Sequence, residues 1–370
     1  MHKEGKENRE LKSKSLIKFR GRHIFKKGKF KNISISNIDG EEVLTISRRG
    51  SCYNNIGTYI SDEIYTDGFT NLILSWNANT PMNTKIEVLA RAYIVERNKL
   101  KGEWSEYLSW GEWGSTIKSS SSDSECDIAK INTDVFMVNN KDKYKGKKFQ
   151  IKVKLYSEDT NVTTSISQIT ATFIDLLDVC DNNLKDKIKV NCESIIDTPC
   201  FSQYERDKSI ANRICSPTSL TMVLNRLGED LKVEDVAWNC YDYKYNGFGN
   251  WVFNVAFAGS HGYEAYIEYG SFESLEREII KGYPVIVSVR YTNDKNNKEY
   301  PYIENSPLTT SGHLIVLCGI TTDSEGDVYV VVNDPAGESN ETVRRRYKLE
   351  EFLFAWSKSN NAMYIVNKKR

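Results

Sequence analysis

The stretch from about residue 30 to residue 175 alternates apolar and polar side chains with a period of two. Ile86, Val88 and Ala90 alternate with other residues, and Ile151 and Val153 alternate with lysines. Because every second side chain of a strand points to the same face, this alternation predicts half-buried strands. Further runs of this kind are Asn32–Asn37, Asn71–Trp76 and Ile169–Phe173. Turn-forming residues separate the runs and no helical stripe interrupts them, so we expect an antiparallel β-sandwich over residues 30–178.

Helical and strand patterns mix in the second half of the chain. The clearest helix has Pro217 in its first turn and Gly228 where it should end. Its apolar face consists of Leu220, Val223, Leu224 and Leu227, at helical spacing. Further helices are predicted over residues 233–240, about 250–258 and 272–281, with strands at Val285–Tyr291, His313–Thr321, Val328–Asn333 and Tyr364–Val366. This mixture predicts an α+β domain over residues 195–370.

Two charged or polar segments flank these domains. Residues 1–31 contain twelve Lys or Arg and three Glu, so we expect residues 1–29 to form a basic, poorly ordered arm. Residues 179–194 are rich in Asp, Asn and Lys, which is typical of a connector between domains.

Composition narrows the class of protein. The chain has 370 residues, enough for two domains, and its 50 Lys and Arg balance 50 Asp and Glu. Without an overall positive charge, a nucleic-acid partner is not expected. No apolar run is long enough to span a bilayer, and the first twenty residues lack the apolar centre of a secretory signal. As written, the sequence predicts a cytoplasmic protein.

Cysteine and histidine spacing gives no sign of a metal site. None of the cysteines forms Cys-x-x-Cys, and the four histidines do not cluster with them. Glycine-rich nucleotide-binding loops are also absent from the sequence. We therefore expect isolated thiols, with no metal and no cofactor. The cysteines are Cys52, Cys126, Cys180, Cys192, Cys200, Cys215, Cys240 and Cys318.

Cys215 differs from the other cysteines by its position. It immediately precedes Ser216-Pro217 and the predicted helix, so its sulfur should lie near free N–H groups at the positive end of the helix dipole. Both effects favour a thiolate. By contrast, Cys240 falls on the apolar face of the second helix, where packing is the simpler interpretation. Cys215 is thus a candidate nucleophile.

A nucleophilic thiolate requires a proton carrier. His2 and His23 lie in the basic arm and His261 in a predicted turn, whereas His313 opens an apolar strand. The next strand ends just before Asp334, and a short turn at residues 323–326 should pair the two strands as an antiparallel hairpin. Two registers are compatible with that turn, and both bring Asp334 near His313. Asp334 could then accept the Nδ1–H of the ring and orient it.

An oxyanion formed during acyl transfer needs hydrogen-bond donors. The backbone N–H of Cys215, at the start of the helix, can supply one. Gln203, twelve residues before the cysteine, is a candidate for the second. Trp251, Phe253 and the 292–311 loop are candidates for the walls of a cleft.

The order of these segments resembles a known family. Gln203, the run Cys215-Ser216-Pro217-Thr218-Ser219, Gly312-His313 and Asn333-Asp334-Pro335 are similar to motifs of the papain-like cysteine peptidases of family thirty-nine. That family includes the bacteriocin-leader-processing peptidases. The resemblance covers residues 195–370 and implies a papain-like fold with Cys215 as nucleophile, His313 as base, Asp334 as orienting group and Gln203 in the oxyanion hole. Ser216 departs from the usual glycine.

Three functions remain open from the sequence. The first is hydrolysis of a peptide or amide bond through a thioester, with a peptide or protein as substrate. The second passes the same acyl group to an amine, as a transpeptidase does. The third is an inactive protein whose sandwich binds glycan or protein, since the row of aromatics from Trp104 to Trp113 could stack on sugar rings.

Overall fold

The structure is a computed structural model that describes residues 16–177, residue 190 and residues 193–369. The N-terminal domain is mostly β, with one short helix, α1 (Arg22–Phe25). Its strands are β1 (Leu16–Arg20), β2 (Lys29–Lys31), β3 (Ile33–Ile38), β4 (Glu41–Ile46), β5 (Arg48–Arg49), β6 (Cys52–Tyr53), β7 (Ile56–Ile60), β8 (Ile64–Phe69), β9 (Asn71–Asn79), β10 (Thr84–Glu96), β11 (Gly102–Trp104), β12 (Leu108–Trp113), β13 (Glu125–Cys126), β14 (Ala129–Asn132), β15 (Val135–Val138), β16 (Tyr144–Ser157) and β17 (Ser165–Ile174).

Two large antiparallel sheets build most of this domain, and β5 and β6 form a separate two-stranded sheet. One runs in the order β13-β14-β15-β9-β17-β4-β3, with β1 paired to β17, and the other is centred on β10 and β16. Alternate side chains from both sheets fill one apolar core. The rings of Phe149, on one sheet, and Phe173, on the other, lie 5.9 Å apart at their centroids. The predicted antiparallel β character of this domain is confirmed.

The C-terminal domain contains one antiparallel sheet with helices on both faces. Its helices are α2 (Cys215–Arg226), α3 (Val233–Cys240), α4 (Trp251–Ser260), α5 (Phe272–Ile280) and α6 (Leu349–Ser357). Its strands are β18 (Ser194–Ile195), β19 (Glu264–Tyr269), β20 (Val285–Tyr291), β21 (Thr310–Thr322), β22 (Val328–Asn333), β23 (Arg344–Lys348) and β24 (Ala362–Asn367). The sheet order is β19-β24-β20-β21-β22-β23, with β18 paired to β21.

Strand β21 shows how this sheet separates two cores. Leu314 and Val316 pack in the core that contains α2 and α4. Ile315 and Leu317 point to the opposite face and pack with α5 and α6. This alternation within one continuous strand explains why its sequence is apolar throughout: both faces are covered by helices.

The two domains share an interface. Trp76 of β9 packs edge-on against Phe253 of α4, with ring centroids 6.5 Å apart. The amide of Asn77 donates to the carbonyl of Ala265 at 2.7 Å and accepts from its N–H at 3.2 Å. A Cβ on Gly259 would lie 2.6 Å from the Asn77 side chain, so glycine permits this close approach of α4 to β9.

The prediction of a poorly ordered basic arm is wrong for residues 16–29, which form regular structure. Strand β1 pairs along its whole length with β17, and α1 and β2 follow it. Lys18 is held by an ion pair with Glu264 of the C-terminal domain, 2.6 Å between nitrogen and oxygen, so its charge serves an interdomain contact. Residues 1–15 and most of the predicted connector, 179–194, lie outside the described residues.

Candidate active site

Cys215 is the first residue of α2, as the sequence predicts. Gly228, just beyond the helix, has a φ of 115°, a backbone conformation that glycine adopts without strain. The side chain of His313 and the backbone N–H groups of Leu314 and Ser216 lie close enough to the Cys215 sulfur to lower the pKa of the thiol. The thiol is partly buried and faces a cavity. This position combines the helix terminus with access for a substrate.

His313 and Asp334 lie side by side, joined by a bond of 2.7 Å from Nε2 of the ring to Oδ1 of the carboxylate. Strands β21 and β22 pair Thr322 with Val328, so the turn is one residue longer than the predicted one. A register shift between Leu317 and Gly319 then restores the predicted pairing beside the site, where Val316 pairs with Asn333. The expected role of Nδ1 is wrong, because Nε2 faces Asp334. This orientation leaves Nδ1 as the ring nitrogen available to the Cys215 sulfur.

The carboxylate of Asp334 is completely buried and fully hydrogen-bonded. Besides Nε2 of His313, Oδ1 accepts the backbone N–H of Ala336 at 3.0 Å. Oδ2 accepts the hydroxyls of Tyr291 and Tyr347 at 2.6 and 2.8 Å. Four donors therefore stabilise the charged form of a group whose burial would otherwise be costly.

These contacts determine the charges of the candidate triad. Burial raises the pKa of the Cys215 thiol, but the hydrogen bond and charge of His313 outweigh it and hold the pKa below its ordinary value. Burial lowers the pKa of His313, yet the Asp334 carboxylate outweighs burial and raises it to about 10. The pKa of Asp334 is lowered, since the His313 charge and hydrogen bonds overcome burial. Both shifts favour a thiolate beside an imidazolium over a neutral thiol beside a neutral ring.

Gln203 lines the same cavity and is buried. Its backbone N–H donates to the carbonyl of Pro335 at 2.8 Å, next to Asp334, and its side-chain Nε2 donates to the carbonyl of Ala211 at 2.8 Å. An amide nitrogen has two hydrogens, so Nε2 retains a second donor. The Oε1 atom of the same amide is buried and has no hydrogen-bond partner among the described residues.

The cavity has a volume of about 790 Å³, and both domains line it. Asn71 and Val135 come from the N-terminal domain, and Trp251 from α4. Two contacts anchor this wall: the N–H of Trp251 donates to Oδ2 of Asp134 at 2.8 Å, and the N–H of Ser121 donates to Asp242 at 3.0 Å. The cleft is therefore composite.

Comparison with known families identifies both parts of the chain. Residues 195–364 match the model of the Peptidase_C39 like family, and residues 18–173 match that of the Peptidase C39 N-terminal domain. The C-terminal part of the chain is a Peptidase_C39-like domain. This C39-like assignment suggests a cysteine peptidase, in agreement with the resemblance in the sequence.

Other comparisons add little. A crystal structure of a protein proposed to be a C39-like peptidase, from Bacillus anthracis, is 19% identical, with a TM-score of 0.36. The match covers 48% of this chain and 99% of that one. A comparison with curated proteins finds no match.

The structure places only some of the predicted cleft and surface residues where the sequence suggests. Trp251 and residues 308–311 line the cleft of the C39-like domain, but Phe253 is buried against Trp76. Trp110 and Trp113 are buried in the N-terminal core, so these two rings offer no surface to the glycan that the sequence left open as a possible ligand. Cys240 is buried in packing, as predicted, and burial raises its pKa.

The remaining thiols form no disulfide among the described residues. Cys52, Cys126, Cys200 and Cys318 are free, whereas Cys180 and Cys192 lie outside the part that the structure describes. Within that part, no group of three or more His, Cys, Asp or Glu is placed to hold a metal ion. Nor does any helix of residues 16–177 and 193–369 have the length and apolarity to cross a membrane.

Sequence reasoning missed the groups that support the triad. Tyr291 and Tyr347 come from separate strands, and no motif relates them to Asp334. Val135 and Asp134 belong to the other domain. Only their position in three dimensions associates these residues with the site, so no local signal in the sequence could have identified them.

Proposed function

We propose that this protein is a cysteine peptidase that hydrolyses peptide bonds through a thioester on Cys215. The proposal rests on one observation above all. The buried pair of His313 and Asp334, with Nε2 and Oδ1 2.7 Å apart, lies beside the thiol of Cys215, which is the first residue of α2 and faces the cleft. A substrate peptide or protein is the partner. We also propose the finer description of the fold. A β-sandwich ends at residue 178, and an α+β papain-like domain begins at residue 195.

Each step has a residue to perform it. The Cys215 thiolate attacks the scissile carbonyl, and the oxyanion that forms accepts hydrogen bonds from the Cys215 N–H and the Gln203 side chain. Nδ1–H of the His313 imidazolium then protonates the leaving amine, which yields a thioester and a neutral ring. His313 next takes a proton from water, whose oxygen attacks the thioester. Collapse releases the acid and restores the thiolate–imidazolium pair. Asp334 holds the ring throughout.

Selective alkylation tests the state of the thiol. The full chain is treated with iodoacetamide at pH 6, and the modified cysteines are identified by peptide mass spectrometry. Cys215 should react first in the wild type, because only a thiolate reacts quickly at this pH. His313→Ala should abolish that preference, while His261→Ala, which changes a histidine outside the cavity, should preserve it. Slow and uniform labelling of all thiols in the wild type would favour the binding protein.

Product analysis then separates hydrolysis from acyl transfer. Peptides incubated with the wild-type chain should yield free carboxylic acids, and Cys215→Ala should yield none. Added glycinamide would appear in the product if the thioester were passed to amines, and its predominance would replace the hydrolase with a transferase. A cytoplasmic location remains a prediction from the sequence.

A further inference from the structure

Apart from the Cys215–His313 pair, the charges that line the cleft are all positive. Among the described residues of the lining, the charged side chains besides His313 are Arg213 and Arg290, and none is Asp or Glu. Neither arginine forms an ion pair within the described part of the chain. A cleft with low-dielectric walls and one sign of charge concentrates its field on an oppositely charged ligand.

Arg213 is held by neutral groups. Its guanidinium lies 5.2 Å from the centroid of the Phe248 ring and donates to the carbonyl of Asn246 at 3.4 Å. Stacking on an aromatic face and a carbonyl contact orient a guanidinium without neutralising it. Because Arg213 precedes Cys215 by two residues, their Cα atoms are at most about 7 Å apart. An oriented, uncompensated cation thus lies next to the nucleophile.

Arg290 occupies the corresponding position beside the histidine. On β20 it lies between Val289, which pairs with His313, and Tyr291, which donates to Asp334. Glu299 raises the pKa of the neighbouring Tyr300 and Arg290 acts on it in the opposite direction, so both charges lie near that hydroxyl. Glu299 is outside the cavity lining. Arg213 therefore lies near Cys215 on one side of the cleft, and Arg290 lies near His313 on the other.

Two buried carboxylates close to the cleft, those of Asp334 and Asp242, already have hydrogen-bond partners. Asp334 is saturated by its four donors, as described above. Asp242 is buried and accepts the backbone N–H groups of Ser121, Lys244 and Tyr245 and the side chain of Asn250. The protein thus has no spare carboxylate in the cleft with which to neutralise either arginine.

We propose that the cleft takes a substrate with a carboxylate within about three residues of the scissile bond, bound by Arg213 and Arg290. This inference rests on the proposed function and specifies its substrate class. Guanidinium groups recognise carboxylates through charge-assisted and often bidentate hydrogen bonds. The carboxylate has two possible sources, an Asp or Glu side chain or the free C-terminus of the substrate.

Two synthetic peptide libraries distinguish those sources. Both contain random decapeptides, one with free C-termini and the other with C-terminal amides. The full-length Cys215→Ala protein is immobilised, and the peptides that it retains are sequenced. Enrichment of Asp and Glu in both libraries identifies a side-chain carboxylate, whereas retention confined to the free acids identifies the terminal one. Binding without either preference, or no retained peptide, overturns the inference.

Variants assign the effect to the two arginines. Arg213→Gln and Arg290→Gln should each reduce affinity for a retained acidic peptide by about tenfold relative to its Gln or amide counterpart. Arg226→Gln is the matched control, since Arg226 is exposed at the far end of α2, about 16 Å along the helix from Cys215. Equal losses in all three variants, or none in the first two, would contradict the assignment.

The proposed function can fail separately. If the Cys215→Ala protein retains acidic peptides but the wild type cleaves none of them, the carboxylate site stands and the peptidase does not. If the wild type cleaves peptides without regard to carboxylates, the peptidase stands and the inference is wrong.

Discussion

The hydroxyl of Tyr347 donates to Oδ2 of Asp334 across 2.8 Å, while His313 bonds to Oδ1 of the same carboxylate. Tyr291 donates to Oδ2 as well, so two buried phenols stabilise the ion that orients the histidine. The ring of Tyr291 also meets the His313 ring edge-on, with centroids 5.9 Å apart. The candidate triad therefore depends on a supporting set of groups from β20 and β23.

Removing the hydroxyl of one of these tyrosines should weaken the triad without replacing any of its three residues. In Tyr347→Phe, Oδ2 of Asp334 loses a donor, and we expect the free energy of unfolding to fall by about 1–3 kcal/mol, as measured in urea. The pKa of Asp334 should rise, so the alkylation of Cys215 should lose more rate at acidic pH than at neutral pH. Tyr302→Phe is a control on the same domain; an equal change in its pH profile would contradict the role of Tyr347.

The pH dependence of alkylation follows from the shifted pKa values. The lowered pKa of Cys215 means that the thiolate forms below the ordinary range of a thiol. The raised pKa of His313, about 10, keeps its imidazolium present over the same range. The rate of Cys215 alkylation should therefore reach its plateau at a lower pH in the wild type than the rate of an ordinary thiol does. In His313→Ala the effect of burial is opposed only by the backbone N–H groups of Leu314 and Ser216, so the midpoint should move upward; an unchanged midpoint would exclude the pair.

Gln203→Ala should affect turnover and spare the thiolate. The side chain is expected to donate to the oxyanion, which exists only after attack, so kcat should fall by about 10²- to 10³-fold. Iodoacetamide forms no oxyanion on Cys215, and its rate of alkylation should stay within about twofold of the wild type. Parallel losses in both measurements would show instead that Gln203 supports the position of Cys215.

Val135→Trp tests the contribution of the N-terminal domain to the cleft. A larger side chain on this wall should narrow the path of a peptide, raising KM or changing the preferred cleavage sites. The small reagent iodoacetamide should still reach Cys215. Lys130→Trp, on the exposed side of the adjacent strand β14, is the matched control. A specificity unchanged by Val135→Trp would show that substrates do not touch this wall.

Asp134 should make stability depend on pH. Burial raises its pKa to about 7, although the Trp251 N–H acts in the opposite direction. Its folded-state pKa exceeds the ordinary value of 3.8, so folding is favoured by the neutral form and loses stability as pH rises between these values. Asp134→Asn should gain stability over the wild type in this interval, by at most about 1.4 kcal/mol per pH unit in urea unfolding. Asp127→Asn, an exposed substitution, should show no such trend.

Local patterns predict much of the C39-like domain. The bounds of α3, β20 and β22 are as expected from spacing alone, because amphipathic periodicity reflects the core that each element packs against. The helix behind Cys215 and the β21–β22 register place the candidate site for the same reason. Helix α6 is not among the predicted elements, although Leu349, Phe352, Leu353 and Trp356 have the spacing of an apolar helix face.

Other features depend on contacts between distant segments. Strand β1 is short and carries lysine and arginine, and it becomes a strand because it pairs with β17, about 150 residues later. The ring orientation of His313 is another case. Packing against Tyr291 and the bond to Asp334 determine which nitrogen faces the sulfur, and a strand register does not specify that rotation.

The shared interface has a consequence for how this protein can be handled. Without the N-terminal domain, Phe253 and the rest of the apolar side of α4 would meet water, and the amide of Asn77 would no longer satisfy the backbone of Ala265. A fragment starting near residue 195 is therefore expected to be insoluble or to self-associate. The N-terminal domain covers an apolar surface of its neighbour, so biochemical work requires both domains on one polypeptide.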